Sequence, residues 1–385
     1  MTNSNFIPYG RQTIEEDDIQ AVVDVMRSPY LTTGPKVKEF EQAIAQYVHA
    51  PEAVAFSSGT AALHGALWAA GIGPGDEVLV PTLSFLATAN AVLYVGAKPI
   101  FVDSLKEGFN IDPVDARRKI TPKAKAILPV HFAGQPVLLT EIQRLAQEFK
   151  LIVIEDAAHA LGAEFQGKKI GSVSDMTVFS FHPVKHITSG EGGMVTTANT
   201  AWARRLRQFR HHGIDVDVTE RDTRQQWCYD MTELGYNYRL TDMQCALGIS
   251  QLKKSERFLK RREEIVSRYN RAFAGQSVFQ VPPPADVSDR HAWHLYILRL
   301  DTKRLGKSRD DLFAELRQKG IGVHVHYRPI HLHTYYQKRG WKAGDFPRIE
   351  STFPTMLSLP IFPAMTDAMV DRVIHEVLAL VPAKV

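Results

Sequence analysis

Cysteine is scarce, with two residues, Cys228 and Cys245, in a chain of 385. Such a pair builds no disulfide framework, and neither a C-x-x-C nor a zinc-ligand spacing occurs. A reducing, cytoplasmic setting is therefore expected. Charge of one sign is lacking too: 46 Lys+Arg stand against 42 Asp+Glu, a formal net charge of +4. That small excess attracts anions but is no footprint for nucleic acid. No segment approaches the ~20 apolar residues of a membrane span, so no membrane partner is expected. The opening MTNSNFIPYGRQTIEEDD has no basic region leading into an apolar run, which argues against a signal peptide. Repeats and low-complexity tracts are missing as well. What remains is ordinary, 44% hydrophobic and 23% charged, with length enough for two cored domains.

The pattern along the chain is regular from residue 53 onward. AVAF, EVLVP, KPIFVD, AKAILPV and LIVIED are apolar runs of strand length, and helical stretches such as TAALHGALWAAG and LLTEIQRLAQEFK separate most of them. Strands buried on both faces with helical crossovers predict a largely parallel α/β sheet. Upstream, Thr13 and Glu16 predict a capping box before one helix, and PKVKEFEQAIAQYV predicts another. The polar segment GIDVDVTERDTRQQWCYDMTELG, with Arg221 and Arg224, reads as a loop, its role over 214–234 left open. One long basic helix is predicted over LTDMQCALGISQLKKSERFLKRREEIVSRYNRAF, whose mixed charges make a solvated face. VPPPADVSD is a proline-rich break. Beyond it HAWHLYILRL and GVHVHY read as strands, with helices at DDLFAELRQ and TDAMVDRVIHEVLAL. The organisation expected is residues 1–250 as an N-terminal segment and large domain, and 251–385 as a linking helix and smaller α+β domain.

SFHPVKHITSGEGG sets Lys185 just past a strand end among small residues, as either a solvated charge or a pocketed nucleophile. LIVIEDAAHALGA ends a strand at Asp156, at the carboxyl edge where open α/β sheets bind ligands. An isolated acid there is commonly a helix cap. An acid and a lysine gathered at one edge suit pyridoxal 5′-phosphate: the lysine bonds the cofactor aldehyde, and the acid keeps the pyridine nitrogen protonated. The turn in AVAFSSGTAALHGAL puts Ser58, Gly59 and Thr60 at a helix N-terminus, a place for phosphate, with Ser180 able to add a hydroxyl. Taken alone, that turn equally suits a plain cap. Phe85, at a helix start after another strand, is either a ring partner or core. His324 and His326 would share one strand face, but no cysteine or carboxylate stands at ligand spacing nearby, so no metal is expected.

Blocks spread over nearly the whole chain resemble one family. YLTTGPKVKEFE, SSGTAALHGAL, PTLSFLATANAVLYVGAKPIFVD, EDAAHALGA, SFHPVKHITSGEGG, GYNYRLTDMQCALGISQLKK and SLPIFP are similar to the DegT/DnrJ/EryC1/StrS nucleotide-sugar aminotransferases. The resemblance implies an aspartate-aminotransferase-like fold (PLP fold type I). Its large α/β domain has a mostly parallel sheet, and a smaller α+β domain follows at the C-terminus. It implies Lys185 as the lysine bonded to the cofactor and Asp156 at the pyridine nitrogen. Phe85 would stack on the ring, and His159, where many members carry Gln, would meet the ring hydroxyl. Phosphate contacts fall to Gly59, Thr60 and Ser180, with Asn237 reaching in from a second subunit of a homodimer whose sites are shared. GYNYRLTDMQCALGISQLKK and IGVHVHYRPIHLHTYY are most similar to the pseudaminic-acid branch. That branch implies a UDP-linked 4-keto-6-deoxy-N-acetyl-hexosamine as acceptor and L-glutamate as amino donor. Tyr9, Tyr30, Leu31, Thr32, His326 and Tyr327 would then line the sugar and nucleotide site, with Ser180 and Asn237 beside them. A UDP-4-keto-pentose, a perosamine-type precursor, or a non-catalytic cofactor-binding regulator are the alternatives.

Overall fold

The computed structural model describes residues 6–215, 227–283 and 288–382. Helix α1 (Glu16–Met26) begins later than Thr13 predicts: Glu15 is the N-cap, and it forms the capping box with Asp18. Thr13 is drawn away because its carbonyl accepts from Gln251 Nε2 at 2.8 Å. Helix α2 (Pro35–Val48) opens on proline, whose missing N–H costs nothing in a first turn.

The apolar runs then become β1 (Glu52–Phe56), β2 (Glu77–Pro81), β3 (Lys98–Val102), β4 (Ala124–Ile127) and β5 (Ile152–Asp156). Between them lie α3 (Gly59–Ala69), α4 (Leu86–Tyr94), α5 (Pro113–Lys119) and α6 (Leu139–Phe149). A hairpin of β6 (Glu164–Phe165) and β7 (Lys168–Lys169) precedes β8 (Met176–Ser180) and β9 (Gly193–Thr197), and α7 (Thr200–Phe209) follows. Seven strands form one sheet in the order β1-β9-β8-β5-β4-β2-β3. Only β9 runs against its neighbours, β1 and β8; the other pairings are parallel. Val78, Leu79 and Val80 have no exposure on either face, as helices on both sides of a parallel sheet require. The carboxyl ends of β1, β2, β5 and β8 therefore open on one edge.

The predicted long helix is two: α8 (Asp242–Leu252) and α9 (Ser255–Phe273). The break falls at Lys253 and Lys254, where the Lys254 ammonium meets Asp17 at 2.6 Å and Asp18 at 2.7 Å on α1. On α9, Phe258, Arg262, Ile265, Tyr269 and Phe273 form a buried stripe, while Glu256 and Glu263 pair with Arg290 at the surface. Past α9, β10 (Phe279–Gln280), β11 (Tyr296–Leu300) and β12 (Met356–Leu359) make a three-stranded antiparallel sheet. Tyr269, Phe273, Leu298, Leu357 and Val373 form its core, joined by Ile7 from the other end of the chain. Ile330, Tyr336, Phe346 and Ile349 instead pack on the core of the larger sheet.

GVHVHY is not a strand. It makes a single bridge, His324 to Ser358, because the chain then leaves the sheet and sends Tyr327 toward the larger sheet's edge. HAWHLYILRL is strand only from Tyr296. Arg221 and Arg224 lie outside the described residues, as does the centre of the proline-rich break. Among the described residues no helix is long and apolar enough to cross a membrane.

Candidate active site

Asp156 ends β5 and is 5% exposed. Its Oδ2 accepts from Thr88 Oγ1 at 2.7 Å and its Oδ1 from the Ala158 N–H at 3.1 Å. Thr88 has one proton, committed to the carboxylate, so Ser84 Oγ donates to Thr88 at 2.7 Å. Burial pushes the Asp156 carboxyl above its usual range, and Thr88, the Ala158 amide, Lys185 and His131 oppose that push. Phe85 is the N-cap of α4 and 56% exposed. The core reading of Phe85 is thereby overturned: its ring is open, 5.8 Å from that of Tyr327.

Lys185 stands five residues past the end of β8, in a turn closed by its own N–H donating to His182 O at 2.9 Å. Among the described residues, no hydrogen bond or ion pair occupies its Nζ. Burial lowers it to about 8 against the opposing pull of Asp156, so the free amine is present near neutral pH.

Ser58 caps α3 by accepting from the Ala61 N–H at 3.1 Å. Among the described residues, the amides of Gly59 and Thr60, in the turn where no intrahelical acceptor exists, have no hydrogen-bond acceptor. This corner closes only because it is built of small residues. A Cβ on Gly59 would stand 2.9 Å from Ser180 Cβ, and one on Gly193 would stand 2.4 Å from Ser58 O. Gly193 pairs with Phe56 on one side and Ser180 on the other, and this register brings the β8 end beside the α3 start.

A buried polar wall faces this edge. His159 is 4% exposed, its Nε2 lies 3.3 Å from Tyr327 Oη, and its Nδ1 has no partner among the described residues. His294 lies against it, ring centroids 4.3 Å apart. His326 holds Ser358 Oγ through Nδ1 at 2.9 Å, and burial lowers it to about 3. Tyr9 sits 5.2 Å from His326 and 5.1 Å from His324, ring to ring. The paired histidines of the sequence are thus committed to protein partners, since His324 Nδ1 accepts from the Val325 N–H at 2.8 Å.

Asp156, Lys185, Phe85, His159, His326, Tyr327 and Tyr9 come together in this way, next to the Gly59–Thr60–Ser180 corner. Tyr30, Leu31, Thr32 and Asn237 are exposed, and among the described residues they make no hydrogen bond or ring contact with that cluster. Tyr30 to Thr32 are tied instead to the start of α8, where Asp242 N donates to Leu31 O at 3.1 Å. Thr88, Ser84 and His294 were missed from sequence. A threonine one helical turn past Phe85 was the available signal for the first, and His294 gave none.

Pyridoxal phosphate needs a neutral amine, an acid for its ring nitrogen, an aromatic face and an anion corner. The free Lys185 Nζ, the buried Asp156, the open ring of Phe85 and the unpaired Gly59 and Thr60 amides supply these. The orphaned Nδ1 of His159 adds a polar contact still to be filled. The residues fit the group.

The chain matches the DegT/DnrJ/EryC1/StrS aminotransferase family over residues 12–378. It is 42% identical over 381 residues to the spore coat polysaccharide biosynthesis protein SpsC of Bacillus subtilis, covering 98% of each chain. The putative sugar aminotransferase Spr1654 from Streptococcus pneumoniae, in its PMP form, matches with a TM-score of 0.92 and 33% identity. That match covers 97% of this chain and 98% of the other. Helicobacter pylori PseC, an aminotransferase involved in the biosynthesis of pseudoaminic acid, gives 0.91 at 31% identity over 98% and 99%. An open sheet edge that fits the cofactor and a full-length family match lead to one conclusion: the chain belongs to the DegT/DnrJ/EryC1/StrS family and is a pyridoxal-phosphate-dependent sugar aminotransferase.

Proposed function

We propose that the enzyme moves an amino group from L-glutamate to C4 of a UDP-linked 4-keto-6-deoxy-N-acetyl-hexosamine, as in pseudaminic acid biosynthesis. The full-length likeness to PseC, at a TM-score of 0.91, carries this reading. SpsC, named for a spore coat polysaccharide and 42% identical, favours a second one, another nucleotide-linked 4-keto sugar such as a UDP-4-keto-pentose or a perosamine-type precursor. Turnover of UDP-, dTDP- and GDP-linked 4-keto sugars with glutamate separates them. The first reading expects the highest kcat/KM with the UDP-linked N-acetyl-hexosamine; a tenfold preference for another sugar gives the second.

In this reading Lys185 holds the cofactor, Asp156 meets its ring nitrogen, Phe85 lies on its face and His159 meets its ring hydroxyl. Gly59, Thr60 and Ser180 hold its phosphate, together with Asn237 of the partner subunit. Tyr9, Tyr30, Leu31, Thr32, His326 and Tyr327 line the sugar and nucleotide. When bound, the cofactor supplies an electron sink for the carbon that loses its proton. Asp156, ionised, keeps that sink charged. Lys185 Nζ moves the proton, accepting it as an amine and returning it as an ammonium. A value of about 8 keeps both forms accessible near neutral pH. Phe85 and Tyr327 exclude water from one side of the reacting atoms. The chain works as a homodimer with shared sites, and Trp227, Met231 and Leu234, 89%, 59% and 72% exposed, are surface that a second copy covers. The division proposed along the sequence is 1–250 as an N-terminal segment and large cofactor-binding domain, and 251–385 as a linking helix and small C-terminal domain.

A further inference from the structure

Phe85 and Tyr327 stand on segments far apart in sequence, and one set of buried polar groups joins those segments. Thr82, the residue after β2, and His331, four residues past Tyr327, have no exposure at all. Thr82 Oγ1 lies 2.5 Å from His331 Nδ1, and His331 Nε2 lies 3.0 Å from Glu350 Oε1. The backbone repeats the join, with the Ile330 N–H donating to Thr82 O at 2.7 Å. Glu350 is itself fixed, accepting from the Gly344 N–H at 2.7 Å and the Phe346 N–H at 3.0 Å. Burial holds the His331 imidazole below its ordinary value, with Glu350 opposing. A neutral ring then has one assignment: Nε2–H donates to Glu350, and Nδ1 accepts the Thr82 hydroxyl.

Hydroxyl, imidazole and carboxylate in that order are also the members of a hydrolytic triad. Complete burial of Thr82 leaves its oxygen no substrate, so a separate hydrolytic site is excluded. The placement of the three groups points elsewhere. Thr82 is three residues before Phe85, and the same loop carries Ser84, which leads through Thr88 to Asp156 at 2.7 Å for each bond. A linked path thus runs from Glu350 through His331 to the Thr82–Phe85 loop and on to Asp156. Tyr327 hangs from the same anchored segment and touches His159.

We propose that Thr82, His331 and Glu350 form a latch that sets the spacing and tilt of Phe85 against Tyr327, which makes His331 a positioning residue for the bound cofactor and sugar. The proposal rests on the roles given to Phe85 and Tyr327 above. Thr82→Val keeps the side-chain shape and removes the hydroxyl; Thr82→Ser keeps the hydroxyl; His331→Gln and Phe85→Ala complete the set. The purified proteins are loaded with pyridoxal phosphate, and visible circular dichroism per bound cofactor, thermal midpoint, kcat and KM are measured. The latch predicts that Thr82→Val and His331→Gln halve the dichroism or more and lower kcat by about tenfold, since misplacement by about 1 Å costs that much or more. The KM for glutamate changes little, and Thr82→Ser stays near wild type. If His331→Gln does not fold, Thr82→Val decides alone. A Thr82→Val protein with a lowered midpoint but wild-type dichroism and kcat makes the network merely structural and overturns the latch. Phe85→Ala separates the two levels. If it leaves dichroism and kcat unchanged, the ring-site reading fails and the latch falls with it. If it perturbs both while Thr82→Val does not, the latch alone fails.

Discussion

Lys185, the lysine proposed to carry the chemistry, is left within reach of neutral pH by two opposed effects. Burial favours the neutral amine and lowers it to about 8, and the carboxylate of Asp156 pulls the other way. Below that value the ammonium has no lone pair; above it the amine is free to attack. The rate at which the cofactor-free protein is trapped by an aldehyde and borohydride should rise with pH to a midpoint near 8. In Asp156→Asn the opposing charge is gone, so the midpoint should fall further; a wild-type midpoint above 10 would contradict the burial argument. Thr88 makes the companion case. Its hydroxyl opposes the upward push on Asp156, and a hydrogen bond to a charged group contributes about 1.5–3 kcal/mol. Thr88→Val should therefore lower kcat by about tenfold or more at pH 7 with the fold intact, and an unchanged kcat would remove Thr88 from the site. The placement of Asp156 at the end of one strand and Lys185 just past another was legible, because strand ends announce themselves in apolar runs. Thr88 and Thr82 were not, since their partners stand 68 and 249 residues away and only the folded sheet brings them together.

Among elements, the corner between β1, α3 and β8 depends on close backbone approach. A Cβ on Gly193 would meet Ser58 O at 2.4 Å and Gly59 N at 2.8 Å, and neither is a side chain able to swing aside. Gly193→Ala should destabilise by about 1–3 kcal/mol, as overpacking does, and weaken cofactor binding by shifting the free amides of α3. Gly275, where a Cβ meets nothing within 4 Å, provides the control, and equal thermal midpoints and cofactor affinities for the two variants would refute the close-approach account. The alternation of strands and helices through β5 was readable from periodicity alone. Two errors had tertiary causes. The α8–α9 break is invisible in a continuous helical pattern because it follows from Lys254 meeting Asp17 and Asp18 on α1. GVHVHY alternates like a strand, yet His326 and Tyr327 are committed to Ser358 and His159, and pairing stops after one bridge.

At the scale of the whole molecule, the two chain ends and the middle are interlocked: Ile7 packs in the C-terminal core, while Ile330, Tyr336, Phe346 and Ile349 pack on the large sheet. Composition could indicate two cores but not this exchange, which depends on where the last third of the chain crosses back. The proposed dimer is tested by sedimentation. Leu234, 72% exposed, is one of the exposed apolar side chains assigned to a second copy, so Leu234→Asp should weaken self-association and lower activity on dilution. A variant that sediments as wild type at every concentration would free that surface from the interface. The proposed chemistry depends on which lysine takes the cofactor. Borohydride reduction of the loaded enzyme followed by peptide mass mapping measures that directly. The account predicts one reduced pyridoxyl group per chain, on the SFHPVKHITSGEGG peptide at Lys185, with none after Lys185→Ala. A stoichiometric label on any other lysine, with Lys185 unmodified, would contradict it.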